Sequence, residues 1–439
     1  MAPKNRIIID TDPGVDDVIA MLLALSASPE ELEVLLISVT FGNVELHNCL
    51  RNVVALFHVL EKEEEWRKST GKAGYGALKA YKPIVAVGAE HPLEDDTLMA
   101  DHFHGIDGLH GVHEEHPHLT PTDTWRSLFL DTTSGPAQSA EPPSYSSYFT
   151  PSKTVAHKEI LRVLKEEPED SVTIVVLGPM TNVALAASED PETFLRVKEL
   201  VVMGGAVHTT GNITPCAEFN TYADAVAAAR VFALTSPTPA STMPPVPSNM
   251  SSLPPYPAKL SRKLKLTLFP LDITTPHELR RKAFTQEIEK HKADGSPLAQ
   301  WTGTFVLRTF DKIDSIVGDG SEAALSLHDP LCIWYMLKRD DPAWKAVSRP
   351  EDIRIETSGQ WTRGMHVIDR RQIAREEEIE DPAIKVNAED PLDAVTFDSN
   401  LPGDHFGWLS AKRGNRVNRM LESPGTELFP VDLMKRIFG

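Results

Sequence analysis

The chain has 439 residues, enough to bury a large core and, at roughly 100–200 residues per domain, to form up to two or three domains. Lysine and arginine number 44 against 63 acidic residues, a formal net charge of −19 that repels nucleic acid and anionic lipid and argues against either as a partner. Three cysteines, Cys49, Cys216 and Cys332, stand far apart without a CxxC, so neither a disulfide framework nor a cysteine zinc site is indicated.

The N-terminus "MAPKNRIIID" runs straight into a strand-like segment, with no apolar leader and no window of about 18 uninterrupted apolar residues beyond it. No membrane span is expected, and the expected location is the cytoplasm.

In chain order, short apolar runs read as strands: "RIIID" (6–10), "LEVLLISVTFG" (32–42), "PIVAVGA" (83–89), "VTIVVLG" (172–178), "ELVVMGG" (199–205) and "KLTLFPLD" (265–272). Segments of helical period fall between them, at 16–26, 46–61, 154–166, 181–188 and 222–233. This alternation, with strands apolar on both faces, predicts an α/β fold: an open, mostly parallel (mixed) sheet flanked by helices. Two stretches rich in proline, serine and threonine, 132–152 and 235–258, lack core-forming periodicity and read as surface insertions in a single domain spanning 1–439. The charged stretch 356–404 reads as an irregular C-terminal insertion.

The segment "IIIDTDPGVDDVIAMLLAL" (7–25) sets Asp10, Asp12, Asp16 and Asp17 within eight residues, between the first strand and the first helix. Pro13-Gly14 can make the turn, which puts the carboxylates at the carboxyl end of the strand, the edge where open α/β sheets bind ligands. A helix N-terminus stabilises one or two carboxylates, but four repel one another. A hard divalent cation such as Ca²⁺ or Mg²⁺ would neutralise them. The loop is no EF-hand, since Gly14, Val15 and Met21 fall where that loop requires Asp or Asn, Gly and Glu.

Other ligands must therefore come from elsewhere in the chain. "VLGPMTNVA" (176–184) can expose backbone carbonyls, "MGGAVHTTGNITPCAEFN" (203–220) carries Asn212, Glu218 and Asn220, and "LHDPLCIWYML" (327–337) sets His328 and Asp329 before an apolar helix. Asp329 ahead of Pro330 is equally suited to capping that helix.

Together these stretches resemble the inosine-uridine-preferring nucleoside hydrolase family, whose N-terminal DxDPGxDD stands here as Asp10 to Asp17. The resemblance continues in order through "TFGN" (40–43), "FHGIDGLHG" (103–111), "VLGPMTNVA", "VVMGGAVHTTGN" (201–212), "AEFNTYAD" (217–224), "LDITTPHEL" (271–279) and "LHDP" (327–330). It implies hydrolysis of the N-glycosidic bond of purine or pyrimidine ribonucleosides to free base and ribose, with Ca²⁺ as cofactor. By position, Asp12, Asp17, Asp329 and the Leu177 carbonyl would hold the ion, with Asp10 behind them orienting the cluster. Asp16, Asn43, Met203, Asn212, Glu218 and Asn220 would bind the substrate.

Asp12 would also accept a proton from the attacking water, and His328, at the place where one branch of the family has a general acid, would protonate the departing base. Members of the family often assemble as homodimers or homotetramers. The insertions depart from the family's compact core, so the resemblance leaves the preferred nucleoside open.

Two competing readings bear on the same residues. A haloacid-dehalogenase-like Mg²⁺ phosphatase also opens with DxD, but it requires Thr or Val where Gly14 stands. A catalytically silent riboside-binding protein would share the fold. The stretch 101–118 holds six of the 16 histidines; their irregular spacing disfavours zinc, and a lid that closes over substrate is expected there.

Overall fold

The structure, a computed structural model, describes residues 3–94, 96–129, 143–245, 253–318, 322–371 and 403–439. Its strands are β1 (Asn5–Thr11), β2 (Leu32–Val39), β3 (Ile84–Val87), β4 (Thr150–Pro151), β5 (Val172–Val176), β6 (Glu199–Met203), β7 (Leu266–Phe269), β8 (Glu278–Arg280), β9 (Ala324–Ser326), β10 (Lys345–Ala346), β11 (Arg354–Ile355), β12 (His366–Val367) and β13 (Asn418–Glu422). Nine of them form one sheet in the order β10-β13-β7-β6-β5-β1-β2-β3-β4. All neighbours pair in parallel except the edge strand β10, which runs antiparallel to β13.

Period-two alternation assigns each side chain of these strands to a face. Ile7, Ile9, Val175, Val201 and Met203 face one core, with helices Val15–Leu25, Leu46–Thr70, Pro297–Val317, His328–Lys338 and Leu428–Phe438. Ile8, Ile174, Val176, Leu200 and Val202 face the other, under Ala156–Glu166, Thr181–Glu189 and Ala225–Ala233. This is the single α/β domain expected from the apolar strand runs. From β1 the chain winds outward through β2, β3 and β4, then crosses to the opposite side of β1 and continues through β5, β6 and β7. The carboxyl ends of β1 and β5 thus flank a topological switch point, where connecting loops diverge and leave a crevice.

The sequence pattern misjudged the irregular stretches. Residues 132–142 lie outside the described residues, but 143–152 carry a buried Tyr145 and Phe149 and supply edge strand β4. In 235–258 the flanks are anchored by buried Thr235, Ser236, Leu253 and Tyr256, and 246–252 are outside the described residues. Within 356–404, residues up to 371 include β12, which pairs with β11, and 372–402 lie outside the described residues.

Beyond 404, β13 enters the sheet between β7 and β10, and Phe429 stacks on Trp334 with ring centroids 4.7 Å apart. No helix among the described residues is long and apolar enough to cross a membrane.

Candidate active site

Strand β1 delivers Asp10 and, one residue past its end, Asp12 to the switch point, and the Pro13-Gly14 turn starts the helix that carries Asp16 and Asp17. Asp10 is fully buried; its Oδ1 accepts from Ser38 and from Asn182 Nδ2 at 3.0 Å, and its backbone carbonyl accepts from Leu177 N at 2.8 Å. Asp17 sits at the third helical position, where Oδ2 reaches back to Gly14 N at 3.1 Å, Asn43 Nδ2 donates to the same oxygen at 2.8 Å, and Thr11 donates to Oδ1. Side chains of this kind satisfy amide groups that a helix start leaves open.

Asp12 is held differently. Its Oδ2 accepts from Asn43 N at 2.7 Å, while Oδ1 is buried without a hydrogen-bond partner. Two glycines make room for it: a Cβ on Gly42 would come within 2.1 Å of Oδ2, and one on Gly178 within 2.3 Å of Oδ1. Those glycines come from the loops after β2 and β5, so the notch for Asp12 exists only where three strand ends meet.

Asp329 arrives from the far side on helix His328–Lys338. Sequence reasoning placed His328 and Asp329 ahead of this helix, with Asp329 as a cap; they lie in its first turn and Leu327 is the cap residue, with no side-chain cap bond. One carboxylate oxygen each from Asp16, Asp17 and Asp329 can lie within 4.8 Å of the others. The expected Asp17 and Asp329 thus converge, with Asp16 beside them, and the charge of Asp12, set between its two glycines, acts on Asp329 as well. Among the described residues no other acidic, histidine or cysteine group converges in this way, and the six histidines of 101–118 form no metal cluster.

Electrostatics follow from burial. Desolvation raises Asp12 well above the usual carboxylate range, with the charges of Asp17 and Asp16 adding to it; it raises Asp329 likewise, helped by Asp16, Asp17 and Asp12. Asp16 is pushed up to about 7 by burial and Asp17, and Asp10 to about 7 by burial against the lowering effect of Ser38 and Asn182. The groups acting on these carboxylates are other carboxylates and neutral donors. Buried oxygens without partners, mutual repulsion and an all-oxygen donor set are what a hard divalent cation satisfies, so the residues fit such an ion.

Beyond the carboxylates lies a cavity of about 600 Å³ lined on its floor by Asp16, Asn43, Met203, Asn212, Glu218, Asn220, His328 and Asp329. Its upper wall is largely apolar, with Phe103, Phe219, Ile213, Ile313 and Leu325. The Leu177 carbonyl accepts from Asn220 Nδ2 at 2.6 Å, and the same amide lies 3.5 Å from the Met203 sulfur. Glu218 caps a short helix: Oε2 accepts from Gly205 N at 2.8 Å and Thr221 N at 3.1 Å, and Oε1 from Asn220 N at 2.7 Å. Asn212 Oδ1 accepts from Phe219 N at 2.9 Å. Every sequence-predicted substrate residue thus reaches the cavity, though Glu218 and Asn43 spend much of their bonding on shaping it.

His104 was not singled out from the sequence. Its Nδ1 accepts from Val15 N at 3.1 Å, one of the amides that a helix start leaves open, and burial depresses its pKa to about 3, which keeps that lone pair free. Asn52 was missed too: its Nδ2 donates to Pro13 O and Asp107 O at 2.8 and 2.9 Å, and its Oδ1 meets His113 Nε2 at 2.8 Å. These contacts bolt the 103–113 segment onto the DPG turn. Neither residue has a periodic signal, and only its position in a long-range contact gives it a role.

Fold and site define an α/β protein with a cation-competent acidic cavity at a sheet switch point. The sequence profile described as inosine-uridine preferring nucleoside hydrolase matches residues 7–393. The chain is 30% identical over 365 residues to the pyrimidine-specific ribonucleoside hydrolase RihA of Salmonella newport, covering 83% of this chain and 88% of that protein. The RihA of Klebsiella pneumoniae is 31% identical over 365 residues, with the same coverage of 83% and 88%.

Among solved structures, a plant nucleoside hydrolase superposes with a TM-score of 0.62 at 20% identity, covering 100% of both chains. A purine-preferring ribonucleoside hydrolase from Gardnerella vaginalis gives 0.62 at 19%, covering 99% of this chain and 98% of that one. At such identities these two carry the fold alone. The chain belongs to the inosine-uridine-preferring nucleoside hydrolase family and is a hydrolase of N-glycosyl bonds.

Proposed function

We propose that the protein hydrolyses purine or pyrimidine ribonucleosides to free base and ribose with Ca²⁺ held by Asp12, Asp17, Asp329 and the Leu177 carbonyl. The observation that carries this reading is the unpartnered, buried Asp12 Oδ1 together with the converging carboxylates of Asp16, Asp17 and Asp329, of which Asp16 and Asp329 line the cavity. When bound, the ion supplies charge that makes a water more acidic and an anchor for the ribose hydroxyls.

Each step then falls to the chain's own groups. Asp12 is the base: its carboxylate, fixed by Asn43 N and the two glycines, takes a proton from the water that attacks C1′. Asp16, Asn43, Asn212, Glu218 and Asn220 bind and orient the sugar, while Asp10 stiffens the strand end beneath them. The acidic floor stabilises positive charge that develops on C1′ and the ring oxygen as the glycosidic bond lengthens. The apolar upper wall excludes water from the base and accommodates its flat faces.

His328 faces the cavity beside Asp329 and serves as donor to the departing base. Burial holds its pKa down to about 4, so at neutral pH it offers a hydrogen bond that disperses negative charge on the base.

The test is a panel of inosine, uridine, cytidine and adenosine assayed for ribose release with chelator and with added Ca²⁺. Release that needs the ion supports the reading; robust release in chelator overturns the metal role, and binding without release supports a silent riboside binder. Family membership sets the phosphatase reading aside. A cytoplasmic location and a homodimeric or homotetrameric assembly complete the proposal; the cysteines, all unpaired, support a reducing compartment, and sedimentation tests the assembly.

A further inference from the structure

The motif "LDITTPHEL" (271–279) lies outside the carboxylate floor, yet it holds the residues around it at several points. Asp272 accepts from Val207 N at 2.9 Å and His208 N at 2.7 Å, anchoring the loop that leads to Asn212. The backbone carbonyl of His277 accepts from Leu327 N at 2.8 Å, fixing the main chain immediately before His328. His277 Nδ1 in turn donates to Ile273 O at 2.8 Å. Between these two anchors, the hydroxyl of the fully buried Thr274 lies 2.8 Å from His328 Nδ1.

We propose that Thr274 is a positioning residue for the reaction: its hydroxyl donates to His328 Nδ1, so that the ring's proton resides on Nε2, the nitrogen left for the cavity. The inference rests on the reading of His328 as the donor to the leaving base. A neutral imidazole has one N–H; the buried Thr274 hydroxyl meets no other acceptor among the described residues, so donating to Nδ1 satisfies its proton, whereas accepting from an Nδ1–H would leave that proton unpaired. If Nδ1 carried the proton, Nε2 would present a lone pair to the departing base and could not stabilise its negative charge. Held from both sides, through Leu327 N and through the ring, His328 has little freedom to turn away. A buried threonine at this place thus sets both the tautomer and the aim of the ring.

The experiment compares kcat and KM for uridine and inosine with those for p-nitrophenyl β-D-ribofuranoside, whose leaving group needs no donor, in the wild type, Thr274→Val, Thr274→Ser and His328→Ala. Thr274→Val should lower kcat for the nucleosides roughly tenfold to hundredfold, the range of groups that orient a functional histidine, with KM little changed and the p-nitrophenyl substrate nearly unaffected. Thr274→Ser, which keeps the hydroxyl, should restore most of the loss.

If Thr274→Val slows all substrates equally, or Thr274→Ser gives no rescue while His328→Ala is selective for nucleosides, the role of Thr274 is overturned and that of His328 stands. If His328→Ala itself slows all substrates equally, the leaving-group reading falls and the proposal falls with it.

Discussion

At the scale of single residues, the four aspartates of the DPG turn differ in what their surroundings ask of them. Asp17 is engaged by donors at both oxygens and Asp10 at Oδ1 alone, whereas Asp12 takes one backbone donor at Oδ2 and sits in a notch between two glycines; Asp10 Oδ2 and Asp12 Oδ1 are both buried without a partner. Asp12→Asn should therefore lower turnover by at least ~10²–10⁴-fold, the usual contribution of a positioned base. Burial and the charges of Asp17 and Asp16 already favour the neutral form of Asp12 in the metal-free protein, so the thermal midpoint in chelator should stay level or rise. A fall in midpoint together with lost activity would make Asp12 a structural group. The four were equally visible in the sequence; their separation into roles came from Asn43, Gly42 and Gly178, which approach from other loops.

At the scale of elements, two glycine-bearing loop starts and one helix set the geometry. A Cβ at Gly178 would lie 2.3 Å from Asp12 Oδ1, far inside contact distance, so Gly178→Ala should displace the carboxylate. The expected result is weakened cation binding and lost turnover with a folded protein, read by calorimetric titration of Ca²⁺ alongside circular dichroism. The C-terminal helix Leu428–Phe438 acts from the other side: Phe429 is fully buried against Trp334, which lies on the helix that carries His328 and Asp329. Phe429→Ala should cost about 3–5 kcal/mol, as deletion of a buried ring does, visible as a lowered denaturation midpoint. A neutral effect would mean that the helix docks without supporting the site.

Across the whole molecule, stability and cation binding should be linked. Asp10 and Asp16 have folded-state values of about 7, above their unfolded values, so the folded protein binds protons more tightly. Their contribution is full below about pH 4, the unfolded carboxylate range, and is lost as pH rises through about 7. The metal-free protein should therefore lose thermal stability over that interval. Ca²⁺ should restore it at neutral pH, by about 2.7 kcal/mol at a hundredfold excess over Kd. A flat pH profile in chelator, or no shift with Ca²⁺, would refute the linkage.

The sequence by itself determined the strands from β1 to β3 and from β5 to β7, since runs such as "VTIVVLG" are apolar on both faces and can be buried only within a parallel sheet. It also determined the cavity's polar set, because colinear motifs carried Asp16, Asn43, Asn212, Glu218, Asn220 and Asp329 to one sheet edge. It did not reveal β4, β13 or the β11–β12 pair, two to five residues each, too short for periodicity and ordered by neighbours distant in the chain.

Nor could it show that His104 would cap the first helix from 89 residues away, or that Thr274 would meet His328 across 54. Local pattern records what a segment must bury. Which side chains then meet depends on how the loops at the switch point converge, and that is decided only when the sheet has closed its order around β1.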